Sequence, residues 1–210
     1  MYILLLPIYL TRCIANIYLL TRRPYPDEMS RPVTLILAAT VPELGIGKNG
    51  SLPWRLRREM KFFRQATDAS AVVMGRKTWE SIPTKFRPLA NRTNVVISSN
   101  KDAAYDEGVI AASSFEDALQ KIGKNMPIFV IGGGQIYQSS LDHANRILLT
   151  QIEDPEKAIE CDTFFDFDKS QWKQQSVDRL RECLGPHVEL PPDAKAAENG
   201  LEYTFTLWEK

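Results

Sequence analysis

The chain has 210 residues, with 26 Lys and Arg against 26 Asp and Glu, so its formal net charge is zero. This length suits one domain with a substantial core, and 44% hydrophobic with 25% charged residues is the composition of an ordinary soluble globular protein. The balanced charge gives no electrostatic reason to expect nucleic acid or a membrane surface as the main partner.

The cysteines and histidines are few and dispersed. Cys13, Cys161 and Cys183 form no C-x-x-C pair, so they indicate free thiols in a reducing compartment rather than a disulfide framework or a zinc site. The histidines, His143 and His187, lie far apart in sequence and near no other ligand-like cluster. We therefore expect neither a histidine metal site nor a Ser/His/Asp triad.

Residues 1–28 differ from the remainder of the chain. The apolar run over 2–20 is interrupted by polar residues and a proline, so it makes a poor membrane span. Three arginines and no acid precede Asp27, which partly suits a mitochondrial presequence. Translation from Met29, organelle targeting and a membrane anchor all stay open. We expect 29–210 to be the only domain, in the cytoplasm unless the extension directs it to mitochondria.

Seven segments have the length and pattern of β-strands. Six are apolar runs of the kind found in sheets covered on both faces, and the last alternates bulky with polar residues, as an antiparallel edge strand does. They cover residues 33–39, 71–74, 94–98, 108–112, 127–131, 146–152 and 203–208.

Helices are predicted over 53–67, 76–82, 114–121 and 135–141. This alternation of strands and helices predicts a single α/β domain, with a mostly parallel central sheet, an antiparallel C-terminal edge strand and helices on both faces. Residues 153–200 are rich in Pro, Asp, Glu and Lys, and we expect them to form a long surface excursion.

The first predicted helix carries a carboxylate on its apolar side. At about 100° per residue, Glu59 lies beside Phe63 and Ala66, whereas the basic residues of the helix cluster elsewhere. A carboxylate turned toward a core costs several kcal/mol unless something hydrogen-bonds it. Either Glu59 is a boundary residue paired with a nearby arginine, or it holds a ligand.

The segment 45–50, Gly-Ile-Gly-Lys-Asn-Gly, matches G-x-G-x-x-G after a strand. Leu52 and Pro53 separate its last glycine from the helix, and the next strand end lacks the acid that a dinucleotide fingerprint requires. The segment is not a P-loop either, because Lys48 precedes the last glycine. We interpret it as a mobile cover over a site, which closely spaced glycines allow.

Three strand ends suit phosphate groups. The glycines at 132–134 end a strand and open a helix, so main-chain N–H groups converge there, although a tight turn without a ligand is the competing interpretation. Residues 75–78, Gly-Arg-Lys-Thr, open another helix with two cations, and serines stand at 98–99. Ligands of open α/β sheets bind at the carboxyl ends of strands. Together these ends indicate a phosphorylated dinucleotide, with Arg76 placed to bind an extra phosphate such as the 2′-phosphate of NADP.

The chain contains, in order, the motifs Gly45-Ile-Gly, Leu52-Pro-Trp54, Glu59, Phe62-Phe63, Val73-Met-Gly-Arg76-Lys-Thr-Trp-Glu-Ser-Ile-Pro83, Arg87-Pro-Leu89, Ile131-Gly-Gly-Gly134 with Tyr137, and Cys161-Asp-Thr-Phe-Phe165. This set resembles dihydrofolate reductase, and the Trp54-Arg-Leu-Arg-Arg-Glu59 spacing and Lys85-Phe-Arg-Pro-Leu89 resemble its fungal branch. The resemblance runs from about Val33 to the C-terminus and leaves out residues 1–28. It implies the dihydrofolate reductase fold.

The resemblance also implies an activity, the reduction of 7,8-dihydrofolate to tetrahydrofolate by hydride transfer from NADPH, which supports one-carbon metabolism. The proton would reach N5 of the substrate from water. Glu59 would hold the 2-amino group and N3 of the pteridine, Thr150 would steady that acid, and Trp54 would order a nearby water. A monomer that binds antifolates, with no nucleic acid or membrane partner for the domain, is expected.

Further site residues are carried over by the same resemblance. Those implied for the substrate are the carbonyls of Leu37 and Ile131, together with Ala39, Met60, Phe63, Ile82, Leu89, Tyr137 and, at the glutamate α-carboxylate, Arg92. Those implied for the cofactor are Ala39 and Ile46 at the nicotinamide, then Gly47, Ser51, Gly75, Arg76, Lys77, Thr78, Ser98, Ser99, Ile131, Gly132, Gly133, Gly134, Gln135 and Ile136. A cis peptide bond is expected between Gly132 and Gly133.

The chain departs from the family pattern at three positions. Ser51 replaces a frequent Asp or Asn, Ser99 replaces an arginine of vertebrate members, and Ser113 replaces a base. A preference for NADPH therefore rests mainly on Arg76. Two alternatives stay open: a same-fold NADPH-dependent pyrimidine reductase of flavin synthesis, whose members lack the helix acid, and a non-catalytic binder of folate or nucleotides.

Overall fold

The computed structural model describes residues 31–100 and 103–210, so the predicted extension 1–28 lies outside the described residues. The strands of the described part are β1 (Val33–Val41), β2 (Gly45–Gly47), β3 (Ala71–Gly75), β4 (Thr93–Ile97), β5 (Ile110–Ala112), β6 (Ile128–Gly132), β7 (Arg146–Glu153), β8 (Thr163–Phe164), β9 (Lys173–Gln174), β10 (Lys195–Glu198) and β11 (Leu201–Glu209). Its α-helices are α1 (Arg57–Ala66), α2 (Arg76–Ser81), α3 (Phe115–Lys121), α4 (Gly134–Ser140) and α5 (Val177–Leu184). None of these helices is long and apolar enough to cross a membrane.

The main sheet has the strand order β10-β11-β7-β1-β6-β3-β4-β5, and β9 pairs with β11 outside that path. The pairs from β7 through β5 are parallel, whereas β11 is antiparallel to β7, to β10 and to β9. The predicted mostly parallel sheet with an antiparallel C-terminal edge is confirmed. The edge also contains β9 and β10, which no sequence pattern indicated.

Helices cover both faces of this sheet, as the alternation of elements predicts. Val33, Leu35, Leu37 and Ala39 of β1 lie in one core with side chains of α3 and α4. The intervening residues, Ile36 and Ala38, lie in a second core with side chains of α1 and α5. Since successive side chains of a strand point to opposite faces, α1 and α4 cover opposite sides of β1.

The expectation of a surface excursion over 153–200 was wrong. The segment contributes β8, β9, β10 and α5, and its aromatic residues Phe165, Phe167 and Trp172 are buried. The rings of Phe165 and Phe167 stack with centroids 5.3 Å apart. Widely spaced apolar residues among many charged ones escaped the composition argument, although each buried ring removes a large apolar surface from water.

The parallel strands β1, β3, β4 and β6 end at one edge of the sheet, where residues 75–78, 98–99 and 132–134 follow them. The loop after β1 leads through β2 to α1, which lies over the face of the sheet that includes Ile36. The fold therefore brings the helix carboxylate and the three phosphate-type strand ends to the same end of the sheet.

Candidate active site

Glu59 lies in the first turn of α1 and is only 7% exposed. In residues 31–100 and 103–210 no lysine or arginine forms an ion pair with it, and no side chain donates a hydrogen bond to its carboxylate. Burial, with a further contribution from the negative charge of Glu198, raises its pKa from 4.5 to about 7. The boundary interpretation is therefore wrong for the described structure, because the expected arginine partner does not contact this acid.

Thr150 lies on the face of the sheet that α1 covers. It pairs with Ala38 on one side and with Phe205 on the other, and the Phe205 ring lies 4.5 Å from the ring of Phe62 on α1. Thr150 is buried. Within the described residues, no hydrogen bond joins its hydroxyl to Glu59, so the steadying role implied for Thr150 stays a prediction.

Trp54 precedes α1 and presents a buried hydrogen-bond donor. The side chain is 8% exposed, and its indole Nε1–H has no acceptor among the described residues. A buried donor left without an acceptor costs about 1–3 kcal/mol. The position suits an oxygen supplied by a ligand or by solvent, which is the chemistry of the water-ordering role implied for Trp54.

The side chains of Ile36 and Ala38 on β1 face α1, the helix that carries Glu59, whereas those of Leu37 and Ala39 face the opposite core. The Ile36 carbonyl accepts a hydrogen bond of 2.8 Å from the hydroxyl of Tyr137. Successive carbonyls of a strand point to opposite sides, so the Leu37 carbonyl points toward β7, along which β1 is paired throughout this stretch. Ala39 is fully buried in the core with α3 and α4. The assignments of Leu37 and Ala39 are corrected by one residue each, because a slip of one residue reverses the face.

The apolar residues implied for the substrate lie where two cores meet, between α1 and α2, and we call this region the opening. Phe63 and Ile131 pack against the core beneath α1. Ile82, Leu89 and again Ile131 pack against a separate core beneath α2. Ile131 thus joins the two groups, and Met60, which is 51% exposed, borders the opening from α1.

Arg92 is fixed at the C-terminal end of α1. Its Nη1 donates to the Thr67 hydroxyl at 3.1 Å and its Nε donates to the Ala90 carbonyl at 2.9 Å. Burial, opposed by the nearby Asp68, lowers the pKa of this guanidinium. A guanidinium has five N–H donors, so these two bonds orient the group and leave donors for the carboxylate that the resemblance assigns to it.

The residues implied for the cofactor converge at the ends of β3 and β6. A Cβ built on Gly75 would lie 3.0 Å from Cγ1 of Ile136, and one built on Gly133 would lie 3.4 Å from Oγ1 of Thr78. A Cβ on Gly134 would lie 4.0 Å from Cδ1 of Ile46. These short distances place the start of α2, the glycine turn and the loop after β1 around one space. The Gly132–Gly133 bond is cis, as the resemblance implies.

The cations at the start of α2 are exposed. Nη1 of Arg76 contacts both carboxylate oxygens of Glu80, at 2.7 and 2.9 Å. Arg76 and Ser99 line a shared cavity of about 420 Å³. Ser98 uses its hydroxyl to accept from the N–H of Asn100 at 3.1 Å. Lys77 and Gln135 are exposed beside this region, and the phosphate roles of all these residues stay predictions.

The glycine loop is tied to the segment that contains β8. Gly45 and Gly47 pair with β8, and the Gly47 carbonyl accepts from the N–H of Asp162 at 2.9 Å. The carboxylate of Asp162 in turn accepts from the N–H of Asn49 at 2.7 Å. A Cβ on Gly45 would lie 2.6 Å from Sγ of Cys161, so the two segments touch. The cover predicted here moves only if these bonds open, and exposed Ser51 lies at its tip.

Comparison with known proteins bears on the whole domain. The family model for dihydrofolate reductase matches residues 32–183. The dihydrofolate reductase of Candida albicans is 41% identical over 192 residues, which cover 86% of this chain and 98% of the relative. The chain belongs to the dihydrofolate reductase family. The dihydrofolate reductases of Saccharomyces cerevisiae, 39% identical over 85% of this chain and 97% of the relative, and of Pneumocystis carinii, 37% identical over 86% and 98%, are similar to it as well.

Membership of the dihydrofolate reductase family confirms the resemblance noted from the motifs. Sequence reasoning nevertheless missed Ile36, Ala38, Asp162 and Glu198 as residues next to the site. The phase of β1 was hidden because the strand is apolar on both faces. Asp162 and Glu198 reach this region through hydrogen bonds from the N–H groups of Asn49 and Arg58, which lie 113 and 140 positions away in sequence, so no local pattern reveals them.

Proposed function

We propose that the chain reduces dihydrofolate to tetrahydrofolate in the space between α1, the glycine turn after β6 and the start of α2. Membership of the family supports this reaction with NADPH as the cofactor. The observation that carries the site is Glu59, a carboxylate buried beside apolar residues without a protein partner. Such a group is stabilised by a ligand that donates hydrogen bonds to it.

Glu59 orients the substrate in this proposal. Its carboxylate accepts hydrogen bonds from the 2-amino group and N3 of the pteridine, which fixes the ring in the plane of the opening. Ile36 and Ile131 supply main-chain carbonyls at the far edge of the ring, where the 4-amino group of pteridine-like inhibitors would bind. Trp54 holds a water through its free indole N–H, and that water is the route by which a proton reaches N5.

The remaining substrate residues set its position along the opening. Phe63, Leu89 and Ile82 enclose the apolar middle of the molecule. Arg92 binds the glutamate α-carboxylate as a fork, since two of its donors are already fixed by Thr67 and Ala90. Antifolates that share the pteridine shape would bind the same residues.

The cofactor residues fit NADPH through main-chain shape. The glycines at 133–134 let the backbone approach a phosphate closely, and the N-terminal ends of α2 and α4 direct N–H groups toward it. Ile46 and the backbone at Ala38 border the nicotinamide. NADPH supplies the hydride when it is bound, and the contribution of the chain is to hold the two rings in contact and exclude water between them.

The test of this proposal is dihydrofolate-dependent oxidation of NADPH by the wild type and by Glu59→Gln. Loss of two charge-assisted hydrogen bonds, each about 1.5–3 kcal/mol, lowers kcat/KM by on the order of 100-fold or more. Glu107→Gln, a substitution at an exposed glutamate in a surface turn, is the control and keeps wild-type activity. Full activity of Glu59→Gln at neutral pH would refute the role of this acid.

The same assay separates the alternatives. A wild type that binds dihydrofolate without oxidising NADPH would be a non-catalytic binder. A wild type that oxidises NADPH with a ribosylated aminopyrimidine, but not with dihydrofolate, would be a reductase of flavin synthesis. The buried acid over an apolar opening favours the folate reaction.

We further propose that residues 29–210 form the catalytic domain, that it acts as a cytoplasmic monomer, and that nucleic acid and membranes are not its partners. The family match beginning at residue 32 and the neutral net charge support this. Light scattering of the full chain tests the monomer, and imaging of a fluorescent fusion tests the compartment. Mitochondrial import that depends on 1–28 would assign a presequence instead.

A further inference from the structure

The helix that carries Glu59 lacks a cap of its own. Its N-cap residue is Leu56, which offers no side-chain hydrogen bond. The first N–H groups of a helix have no partners within it, and a polar side chain normally accepts from one of them. Here that acceptor comes from the other end of the sequence, because Oε2 of Glu198 accepts from the N–H of Arg58 at 2.9 Å across 140 positions.

The turn between β10 and β11 holds the start of α1 at a second point. Nδ2 of Asn199 donates to the carbonyl of Arg55 at 2.7 Å. Glu198 is itself fixed by the hydroxyl of Tyr203, which donates to its carboxylate at 2.6 Å. Tyr203 is buried, and its ring meets that of Phe205 edge-on at 5.6 Å. The turn thus rests on the aromatic core that also contacts α1.

We propose that Glu198 is a positioning residue for the active site, which caps α1 from β10 and places a fixed negative charge behind Glu59. The proposal goes beyond the family reaction and rests on the assignment of Glu59 as the substrate-holding acid. A negative charge at a helix N-terminus is favourable, so the contact stabilises the helix. The same charge opposes ionisation of Glu59.

Among the titratable groups near Glu59, Glu198 is the one that carries a charge able to change the pKa of Glu59. Burial would raise the pKa of Glu198, but the hydrogen bonds from Tyr203 and from the helix N–H groups outweigh it and lower that pKa. Tyr203 on β11 and Tyr137 on α4 are neutral at physiological pH, because burial raises the pKa of each hydroxyl. Arg58, the neighbouring cation on α1, acts on Glu198. Glu198 is therefore the ionised acid that acts on Glu59.

Charge and shape can be separated by substitution. Glu198→Gln keeps an oxygen that accepts from the N–H of Arg58 but removes the charge. Glu198→Asp keeps the charge on a shorter side chain, and Glu198→Ala removes both. Glu202→Gln is the matched control, since Glu202 stands in the same hairpin and is exposed, and its side chain makes no hydrogen bond or ion pair among the described residues.

The experiment uses the full chain and has three readouts: the ¹³C titration of the Glu59 carboxyl without ligands, the pH profile of kcat with dihydrofolate and NADPH, and hydrogen exchange of the Arg58 amide. Glu198→Gln moves the midpoint of the Glu59 titration to lower pH. The part of the kcat pH profile that follows ionisation of Glu59 moves in the same direction. Glu198→Asp restores both toward wild type. Glu198→Ala accelerates exchange of the Arg58 amide about fivefold, the effect of losing a helix cap.

Two results would overturn the proposal. If Glu198→Gln titrates like wild type and like Glu202→Gln, the charge of Glu198 does not act on Glu59. If Glu198→Ala leaves exchange of the Arg58 amide unchanged, Glu198 is not the cap. If Glu198→Ala fails to fold, the titration of Glu198→Gln still decides whether the charge of Glu198 acts on Glu59. The titration and the hydrogen exchange need no substrate, so they test Glu198 independently of the catalytic assignment. The activity of Glu59→Gln tests that assignment.

Discussion

The substrate half of the site (Ile36, Trp54, Glu59, Phe63, Arg92, Ile131 and Thr150) depends on buried side chains that distant segments bring together. The cofactor half (residues 75–78, 98–99 and 132–136) depends on main-chain shapes that short sequence motifs encode. Glu59 is buried without a protein partner, whereas Arg76 is exposed and already paired with Glu80. In the substrate half, burial of the Glu59 carboxylate therefore destabilises the folded protein until a ligand binds. The cofactor half offers a preformed surface.

Because burial of the Glu59 carboxylate destabilises the fold, replacing this acid by a neutral side chain is expected to stabilise the protein. The folded-state pKa of Glu59 is raised to about 7 from 4.5. The stabilising effect of its protonation is fully present below the unfolded pKa and is lost as the pH rises through the folded pKa. The free energy of unfolding of Glu59→Gln is therefore about 3 kcal/mol larger than that of wild type near pH 8, and the two are nearly equal near pH 4. Urea unfolding at the two pH values measures it, and equal stabilities at both would contradict the buried, unpaired state.

The main-chain shape of the cofactor half is broken most directly at Gly132. Its φ of 106° is unfavourable for any side chain, and a Cβ would lie 3.0 Å from the ring of Tyr137. Gly132→Ala therefore loses about 1–3 kcal/mol of stability and weakens NADPH binding. Thermal unfolding and fluorescence titration with NADPH measure the two effects.

Gly123→Ala is the matched control for that substitution. Nothing lies within 4 Å of a Cβ built on Gly123, so its stability stays within about 0.5 kcal/mol of wild type. If Gly132→Ala is as stable as Gly123→Ala and binds NADPH normally, the turn after β6 tolerates other shapes and the comparison between the two halves fails.

Trp54→Phe sharpens the substrate half by removing one N–H group while keeping an aromatic ring. No protein acceptor is lost, because Nε1 has none among the described residues. The variant keeps its stability to within about 1 kcal/mol, while kcat falls on the order of fivefold because the ordered water loses a donor. A large loss of stability with unchanged kcat would mean that Trp54 is only a packing residue.

Arg76→Ala gives the smallest expected effect, in the cofactor half. The ratio of kcat/KM for NADPH to that for NADH falls by about threefold or less, because the exposed contact is screened and shared with Glu80. Glu80→Gln frees the guanidinium and raises the same ratio. Lys124→Ala, an exposed cation elsewhere, leaves it unchanged. An unchanged ratio in Arg76→Ala would remove Arg76 from the phosphate site.

The sequence predicted more of the cofactor half than of the substrate half. The glycines at 132–134 form a local motif, the cis bond between Gly132 and Gly133 was implied by the family resemblance, and the strand ends follow from the order of parallel strands. The anomalous position of Glu59 was visible from helical periodicity alone. The phase of β1 was not, because an apolar run carries no alternation, and neither was the docking of Glu198, which depends on a hairpin hidden in a charged segment.

The central claim is that Glu59 is a buried acid whose partner is the substrate. The direct measurement is the ¹³C titration of its carboxyl in the full chain, with and without a bound 2-amino-pteridine. The structure predicts a midpoint near 7 in the free protein and a lower midpoint with the pteridine bound, because hydrogen bonds to the ionised form favour it. A midpoint near 4.5 in the free protein, or one that the pteridine leaves unchanged, would contradict the account.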